Sequence, residues 1–224
     1  MKTRKRVLLL VGSPKKKSTS LSLGDYLVSS LSSFGVTSTT FRVVKEIYNE
    51  EGRARMVQEL STTDILILAS PLYVDSLPAP VIKTLELICS QRKVQKNAKK
   101  IQFCSILNCG FPESQQNDVA FAICRLFARD SKMQWVGGLS IGEGGVIGGE
   151  PFRKKQFMYR KLTRALEMSA EALSLGKVIP YEARALTEKT FIPPWLYIWV
   201  AERSWRSQAK KNGVLKKLAD CPYK

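Results

Sequence analysis

Residues 6–20 read RVLLLVGSPKKKSTS, and this stretch decides the fold class. After Arg6 it begins with a short, continuous apolar run, which is typical of a strand buried on both faces. Gly12 and Pro14 end that run, and leucines at roughly helical spacing follow over residues 20–34. The stretch therefore predicts a buried strand that a short polar loop joins to a helix.

The same order of strand, loop and helix recurs along the chain. Apolar and β-branched runs predict four further strands, at residues 39–44, 63–69, 101–107 and 135–141. Periodic segments predict helices at 20–34, 49–60, 78–89, 117–129 and 154–175, and a glycine-rich loop covers 142–151. Because strands that alternate with helices through short connections pair in parallel, we predict an α/β fold: a doubly wound, five-stranded parallel sheet in a three-layer α/β/α arrangement.

The composition excludes several kinds of site. The 224 residues contain no histidine, which rules out Ser-His and Cys-His nucleophilic pairs and His-ligated metals. The five cysteines form no CxxC motif, so we predict reduced thiols and no metal site. The apolar runs fall far short of the roughly 20 residues that span a bilayer, and no signal-peptide cleavage site follows the basic start. We therefore expect a cytoplasmic protein without catalytic side chains, whose chemistry would come from a cofactor.

The chain carries a formal net charge of +17. Seven Lys or Arg lie in residues 1–20, and ten lie from residue 177 onward against four acids. Such an excess could serve a nucleic acid, an anionic membrane or a phosphorylated cofactor, or form a solvated face. No nucleic-acid-binding motif accompanies it, so we expect no specific nucleic-acid partner.

The first loop, residues 12–20, offers two interpretations. It joins a strand to a helix N-terminus, whose N–H groups and dipole suit a phosphate. It also supplies hydroxyl and ammonium donors, on Ser13, Lys15, Ser18, Thr19 and Ser20. It matches neither the P-loop nor the dinucleotide-binding GxGxxG pattern. The alternative is an ordinary helix cap at Ser18 or Ser20 with solvated lysines.

Two further loops follow the third and fourth predicted strands. Residues 70–78 place a proline, an aromatic residue and apolar neighbours at a strand end, which favours contact with a planar ring. Residues 108–113 supply an amide, a thiol and a glycine that permits close backbone approach. Each of these loops could also be a simple turn, with Cys109 as a small buried residue.

Taken together, the three loops resemble those of the flavodoxin-like NAD(P)H-dependent FMN reductase family. The resemblance rests on residues 11–14 with 18–20, on 69–73 with 77–78, and on 108–113, and it covers about residues 5–175. It implies a flavodoxin-like fold that binds FMN non-covalently. The implied phosphate contacts are Ser13, Lys15, Ser18, Thr19 and Ser20, although a lysine run stands where family members commonly carry Arg or Asn. The implied ring contacts are Pro71, Leu72, Tyr73, Val74, Asn108, Cys109 and Gly110, with Gly144 and Gly145 as further candidates.

The resemblance also implies a function. It is that of an FMN-dependent oxidoreductase, in which NADPH or NADH donates a hydride to FMN and the electrons pass to a flavin, quinone or other small acceptor. The lysine run favours NADPH, because a 2′-phosphate needs a cation. One alternative is an FMN-binding electron-transfer carrier with a protein partner and little NAD(P)H turnover. Another is a flavin-free scaffold whose basic face binds an anionic polymer.

The carboxy-terminal region is unlike the rest. We predict a flavodoxin-like domain at residues 1–178 and a helical extension at 179–224. Pro193 and Pro194 could start a helix on which Trp195 and Trp199 share a face. This helix could pack on its own domain, act as a dimerisation arm in a homodimer, or lie on an anionic membrane surface.

Overall fold

A computed structural model describes residues 4–94 and 99–221 of the chain. It contains a single described sheet of five parallel strands in the spatial order β2-β1-β3-β4-β5. The strands are β1 Arg6–Val11, β2 Thr37–Arg42, β3 Ile65–Pro71, β4 Gln102–Asn108 and β5 Gln134–Ile141. This arrangement confirms the predicted doubly wound parallel sheet.

Helices follow each strand and cover both faces of the sheet. They are α1 Thr19–Ser32, α2 Val43–Glu46, α3 Glu50–Thr62, α4 Ala79–Lys93, α5 Asp118–Asp130, α6 Gly144–Ile147, α7 Arg160–Ser174, α8 Tyr181–Glu188 and α9 Pro194–Lys211. Short 3₁₀ turns occur at Ser114–Asn117, Phe152–Lys154 and Leu215–Lys217. The predicted three-layer α/β/α arrangement is confirmed, and the described part of the chain gives a flavodoxin-like fold.

The central strands are apolar because both of their faces are covered. The residues from Val7 to Val11 and from Ile65 to Ala69 are at most 2% exposed. The register pairs Val11 with Ala69 and Pro71 with Asn108, so the carboxyl ends of β1, β3 and β4 reach the same edge of the sheet. Ligands of such sheets bind outside this edge, near the point where the strand order reverses.

The structure differs from the predicted elements in the stretch before α7. The sequence predicts a helix from residue 154, whereas α7 begins at Arg160. The preceding residues form a 3₁₀ turn in which Phe152 is 1% exposed and packs edge-on against Tyr26, with ring centroids 5.1 Å apart. Tertiary packing of Phe152 therefore keeps these residues out of the helix, which begins later in the chain. The short helices α2 and α6 were not predicted, because 4 residues give little periodicity, whereas α8 lies within the predicted helical extension.

The chain divides into two compact units, and the first ends at Lys189. Helix α8 belongs to this first unit, where it packs on α7 and β5. The second unit begins at Thr190 and contains α9, which starts at Pro194 as the sequence predicts. None of the helices described in either unit is both long and apolar enough to cross a membrane.

Candidate functional site

The three predicted loops converge at one edge of the sheet, because they follow the neighbouring strands β1, β3 and β4. Backbone hydrogen bonds extend the strand pairing into the loops. Leu72 donates its N–H to the Asn108 carbonyl at 2.9 Å, and Cys109 donates to Ile141 at 3.0 Å. Gly144, after β5, donates to the Cys109 carbonyl at 2.9 Å. The structure therefore brings the predicted site residues of all four loops to the same edge.

The first loop ends in a capped helix. Ser18 has an extended backbone, and its hydroxyl accepts the N–H of Leu21, so it is the N-cap of α1. The N–H groups of Thr19 and Ser20 come before the first residue that can bond within the helix, so they lack an intrahelical acceptor. Ser13 and Ser18 are 5% and 6% exposed. This start of α1 is the place where the site can receive an anion.

The loop backbone is held from the side by Arg42, at the end of β2. Its Nη2 donates to the carbonyl of Lys15 at 2.6 Å and to that of Lys16 at 3.2 Å. Both lysine side chains are exposed, and so is that of Lys17. Lys17 pairs with Glu150 at 3.4 Å, but both groups are more than half exposed, so the pair contributes little stability. The guanidinium thus shapes the loop, while the lysines place positive charge at its surface.

Two of the predicted hydroxyl contacts have partners within the protein. Thr19 Oγ1 donates to the Gly144 carbonyl at 2.7 Å, and Ser20 Oγ donates to Asn108 Oδ1 at 2.7 Å. Their hydroxyl protons are therefore directed at other loops of the site. The contact that Thr19 and Ser20 can still offer to an anion is their main-chain N–H.

The segment after β5 packs closely against the first loop. Ser22 Oγ donates to the Glu150 carbonyl at 2.6 Å. A Cβ on Gly149 would lie 2.5 Å from the Lys17 carbonyl carbon, so only glycine fits there. A Cβ on Gly144 would lie 2.9 Å from the Cys109 carbonyl oxygen. Gly144 therefore packs directly against the third loop.

Gly145, the other predicted glycine, is exposed. It stands beside Gly144 in the first turn of α6. The structure thus distinguishes the two glycines that the sequence grouped together: Gly144 is buried against the third loop, and Gly145 faces outward.

The second loop is a tight turn with an unusual backbone. Tyr73 and Ser76 exchange backbone hydrogen bonds of 2.9 and 3.2 Å, and the two residues between them have φ of 48° at Val74 and 56° at Asp75. A β-branched residue rarely adopts positive φ, and such strain concentrates at ligand-binding sites. Val74 is 97% exposed and Tyr73 44%, whereas Pro71 and Leu72 are half-buried. The turn thus presents an apolar surface to solvent.

The third loop combines a buried amide with an inert thiol. Asn108 and Cys109 are 7% and 3% exposed, whereas Gly110 is exposed with open space where a side chain would stand. Cys109 Sγ lies 3.5 Å from the Glu113 carbonyl oxygen and can donate to it. Burial raises the pKa of the Cys109 thiol, so it stays protonated at neutral pH. This favours the interpretation of Cys109 as a small buried residue over a reactive thiol.

Sequence reasoning missed the residues that brace these loops. Arg42 is one, and Asn117 is another: its Nδ2 donates to Ser140 Oγ at 3.2 Å and to the Ile141 carbonyl at 3.4 Å. Ser140 Oγ in turn donates to the Ser114 carbonyl at 2.6 Å. No local pattern could have indicated these contacts, because the partners lie 23 to 27 residues apart in the chain.

The arrangement suits a ligand with an anionic group at one end and a flat apolar part at the other. The anion would meet the start of α1, and the flat part would meet the exposed surfaces of Tyr73 and Val74, beside the amide of Asn108. Phe111, which is 53% exposed, adds a further apolar surface after β4. In residues 4–94 and 99–221, no group of three or more His, Cys, Asp or Glu side chains could hold a metal ion.

Comparison with known proteins finds a family match in the first part of the chain. Residues 5–106 match the sequence model of the NADPH-dependent FMN reductase family. The match contains the first and second loops and ends just before Asn108. No curated protein matches the chain.

Solved structures with the same fold cover most of the chain. One is an NAD(P)H:quinone oxidoreductase from Methanothermobacter marburgensis, at 16% identity over 76% of this chain and 96% of that chain, with a TM-score of 0.52. Another is an NADH:FMN oxidoreductase in its apo form, at 14% identity over 84% and 96%, with a TM-score of 0.56. A third is an FMN-dependent NADH-azoreductase from Bacillus anthracis in complex with FMN, at 12% identity over 76% and 99%, with a TM-score of 0.53. At these identities the likeness shows the shared fold.

Proposed function

We propose that the protein is an FMN-dependent NAD(P)H oxidoreductase that reduces a flavin, a quinone or another small acceptor. The observation that carries this proposal is the pairing of an anion-receiving helix start with an exposed apolar turn at the same sheet edge. The match of residues 5–106 to the model of the NADPH-dependent FMN reductase family supports the choice of FMN as the ligand. When bound, FMN supplies the hydride chemistry, taking a hydride from the nicotinamide and releasing electrons to the acceptor.

The first loop would hold the FMN phosphate. The donors that fit it are the N–H groups of Thr19 and Ser20 and the hydroxyls of Ser13 and Ser18, and the positive end of the α1 dipole adds to their effect. Arg42 would keep the loop in shape through the Lys15 and Lys16 carbonyls. These residues lie in the loop that leads into α1 or in its first turn, and Ser18 already caps the helix.

The second and third loops would hold the ring and the sugar chain. Pro71 and Leu72 are half-buried, and Tyr73 and Val74 are exposed, so the turn can line one side of a flat ring. Asn108, Cys109 and Gly110 would close the other edge, and the bond from Ser20 fixes the orientation of the Asn108 amide. The protein would contribute orientation and proximity rather than an acid or a base, which agrees with a chain that has no histidine.

The reductase and carrier functions are separated by one experiment. The purified protein, loaded with FMN under anaerobic conditions, is mixed with NADPH or NADH while its visible spectrum is recorded. A reductase loses its yellow absorbance within seconds and regains it when a quinone is added. Retention of the colour with both nucleotides, together with bleaching by dithionite, would contradict the reductase and favour the electron-transfer carrier.

The exposed lysines of the first loop support NADPH as the donor. The side chains of Lys15, Lys16 and Lys17 are free to meet a 2′-phosphate, since only that of Lys17 approaches an acid among the described residues. Replacing all three with alanine should lower kcat/KM for NADPH about tenfold or more and leave that for NADH nearly unchanged. If the ratio of kcat/KM for NADPH to kcat/KM for NADH did not change, the lysines would have no part in the choice between the two donors.

We also propose that the protein works as a homodimer, with the second unit as the dimerisation arm. The support is the composition of α9, in which Trp195, Trp199 and Trp205 are 70%, 54% and 70% exposed. Aromatic residues of this kind are enriched at protein interfaces. Sedimentation velocity on the full chain should give about twice the 25.2 kDa of one chain, and a monomer at micromolar concentration would contradict the dimer.

A further inference from the structure

A second surface of the first unit combines exposed apolar and basic side chains. It spans residues 153–164, which we call the 153–164 surface. Phe157 and Met158 are adjacent, and each is 77% exposed. The exposed cations of this surface are Arg153, Lys154, Arg160, Lys161 and Arg164. The stretch contains no acidic residue.

The exposure of Phe157 and Met158 is built into the turn that carries them. Phe152 and Tyr159, at either end, are 1% and 6% exposed, and their rings lie 6.1 Å apart. Lys155 Nζ donates to the Ile147 carbonyl at 2.6 Å, and Met158 N–H donates to the Lys155 carbonyl at 2.9 Å. Because both ends of the turn are anchored in the core, the two apolar side chains between them are held outward.

A groove between α1 and α7 lies beside this turn. It has a volume of about 480 Å³, and its polar lining includes Arg153, Arg164, Ser29, Ser30, Ser33, Glu167 and Glu171. Arg153 Nη2 donates to Ser29 Oγ at 3.0 Å. The Glu167 carboxylate accepts a hydrogen bond from Tyr26 at 3.3 Å. The guanidinium groups of Arg153 and Arg164 can bind a phosphate-bearing headgroup at the rim of the groove, while the carboxylates of Glu167 and Glu171 offset part of their charge.

We propose that the 153–164 surface docks the protein on an anionic lipid bilayer. The cations would meet the lipid phosphates, and Phe157 and Met158 would enter the boundary between headgroups and acyl chains. This inference is independent of the flavin chemistry proposed above, because none of its residues belongs to the candidate site.

Charge and shape favour this occupant over two others. A second copy of the same surface, related by two-fold symmetry, would set its cations against like charges. A nucleic acid would also suit the cations, and the Phe157 ring could stack on a base, but the exposed thioether of Met158 would have no partner there. A bilayer uses the cations and both apolar side chains of the pair.

The test is flotation of the full-length protein, purified with FMN, with vesicles of phosphatidylcholine alone or with 30% phosphatidylglycerol. We expect the protein to float only with the anionic vesicles, and the bound fraction to fall about tenfold or more between 50 and 500 mM NaCl. Binding to neutral vesicles of equal strength, or no binding to anionic vesicles at low salt, would overturn the proposal.

Variants assign the binding to this surface. The double variant Phe157→Ser/Met158→Ser should weaken partitioning into anionic vesicles about tenfold or more, because the apolar insertion is lost. Arg160→Glu/Lys161→Glu should do the same through charge, which keeps the test valid if the first variant folds poorly by circular dichroism. The matched control is Leu175→Ser/Val178→Ser, a pair on the same unit that is 60% and 59% exposed, and it should bind as the parent does.

Two results would reassign the binding. If Trp195→Ser/Trp199→Ser abolishes flotation while both variants of the 153–164 surface retain it, then α9 is the membrane contact and this proposal is wrong. If the protein binds duplex DNA at low salt, and the Arg160→Glu/Lys161→Glu variant loses DNA binding but floats like the parent, the cations serve a nucleic acid and the proposal is likewise overturned.

Discussion

Ser20 Oγ donates a 2.7 Å hydrogen bond to Asn108 Oδ1, and both residues are buried. The bond joins the first turn of α1 to the end of β4, two elements that are 88 residues apart in the chain. It connects the part of the site that would bind a phosphate to the part that would meet the ring. The amide of Asn108 therefore has a fixed orientation before any ligand arrives.

Replacing Ser20 with alanine should leave the Asn108 oxygen buried without its donor. We expect the free energy of unfolding to fall by about 1–3 kcal/mol and the affinity for FMN to fall as well. Urea unfolding and fluorescence titration measure the two effects. The control is Ser32→Ala, at the other end of α1, where the side chain is exposed and its hydroxyl bonds only to the nearby Ser29 carbonyl. Equal losses of stability in the two variants would contradict this role of Ser20.

Arg42→Ala should act on the first loop while leaving the core intact. The guanidinium holds the Lys15 and Lys16 carbonyls, so its removal frees the loop backbone, and we expect FMN to bind about tenfold more weakly. The melting temperature of the FMN-free protein should change little, because the contact is exposed. Arg129→Ala, which removes an exposed arginine that pairs with Asp130, should bind FMN like the parent. If both variants bind FMN equally well, Arg42 does not support the site.

Because two thiols are buried, the free energy of unfolding should decrease as the pH rises into the alkaline range. Burial raises the pKa of Cys104 to about 12 from an ordinary value of 9.0, and Cys124 behaves in the same way. Above pH 9 the thiols of the unfolded chain lose protons that the folded chain keeps, so the stability falls as pH rises toward 12. In Cys104→Ala the loss of stability between pH 8 and pH 10 should be smaller by about 1.4 kcal/mol in total. Urea unfolding at pH 8 and 10 would refute the assignment if the parent and the variant had equal slopes.

The parts of the site that local patterns describe could be predicted from the sequence. The apolar run before Gly12 gives β1, and a serine at the start of a leucine-periodic segment gives a helix cap, which the structure assigns to Ser18. The order of strands and helices gives the parallel sheet, and a parallel sheet brings the loops after β1, β3 and β4 to the same edge. Convergence of the candidate residues thus follows from chain order alone.

Other features depend on contacts between distant parts of the chain. The hydroxyl of Thr19 bonds to Gly144, 125 residues away, and nothing near Thr19 in the sequence indicates this partner. The positive φ of Val74 contradicts the preference of a β-branched residue, so the sequence argues against the turn that forms. The late start of α7 at Arg160 reflects the burial of Phe152 against Tyr26. Tertiary packing overrides local preference in these places.

The most direct test of the account compares FMN with riboflavin, which lacks the phosphate. The FMN-free protein is titrated with each ligand while the flavin fluorescence is recorded. If the start of α1 and the hydroxyls of Ser13 and Ser18 bind the phosphate, FMN should bind at least about 100-fold more tightly than riboflavin, because several charge-assisted hydrogen bonds are lost without the phosphate. Equal affinities, or no binding of either ligand, would contradict the central claim that the first loop is an FMN phosphate site.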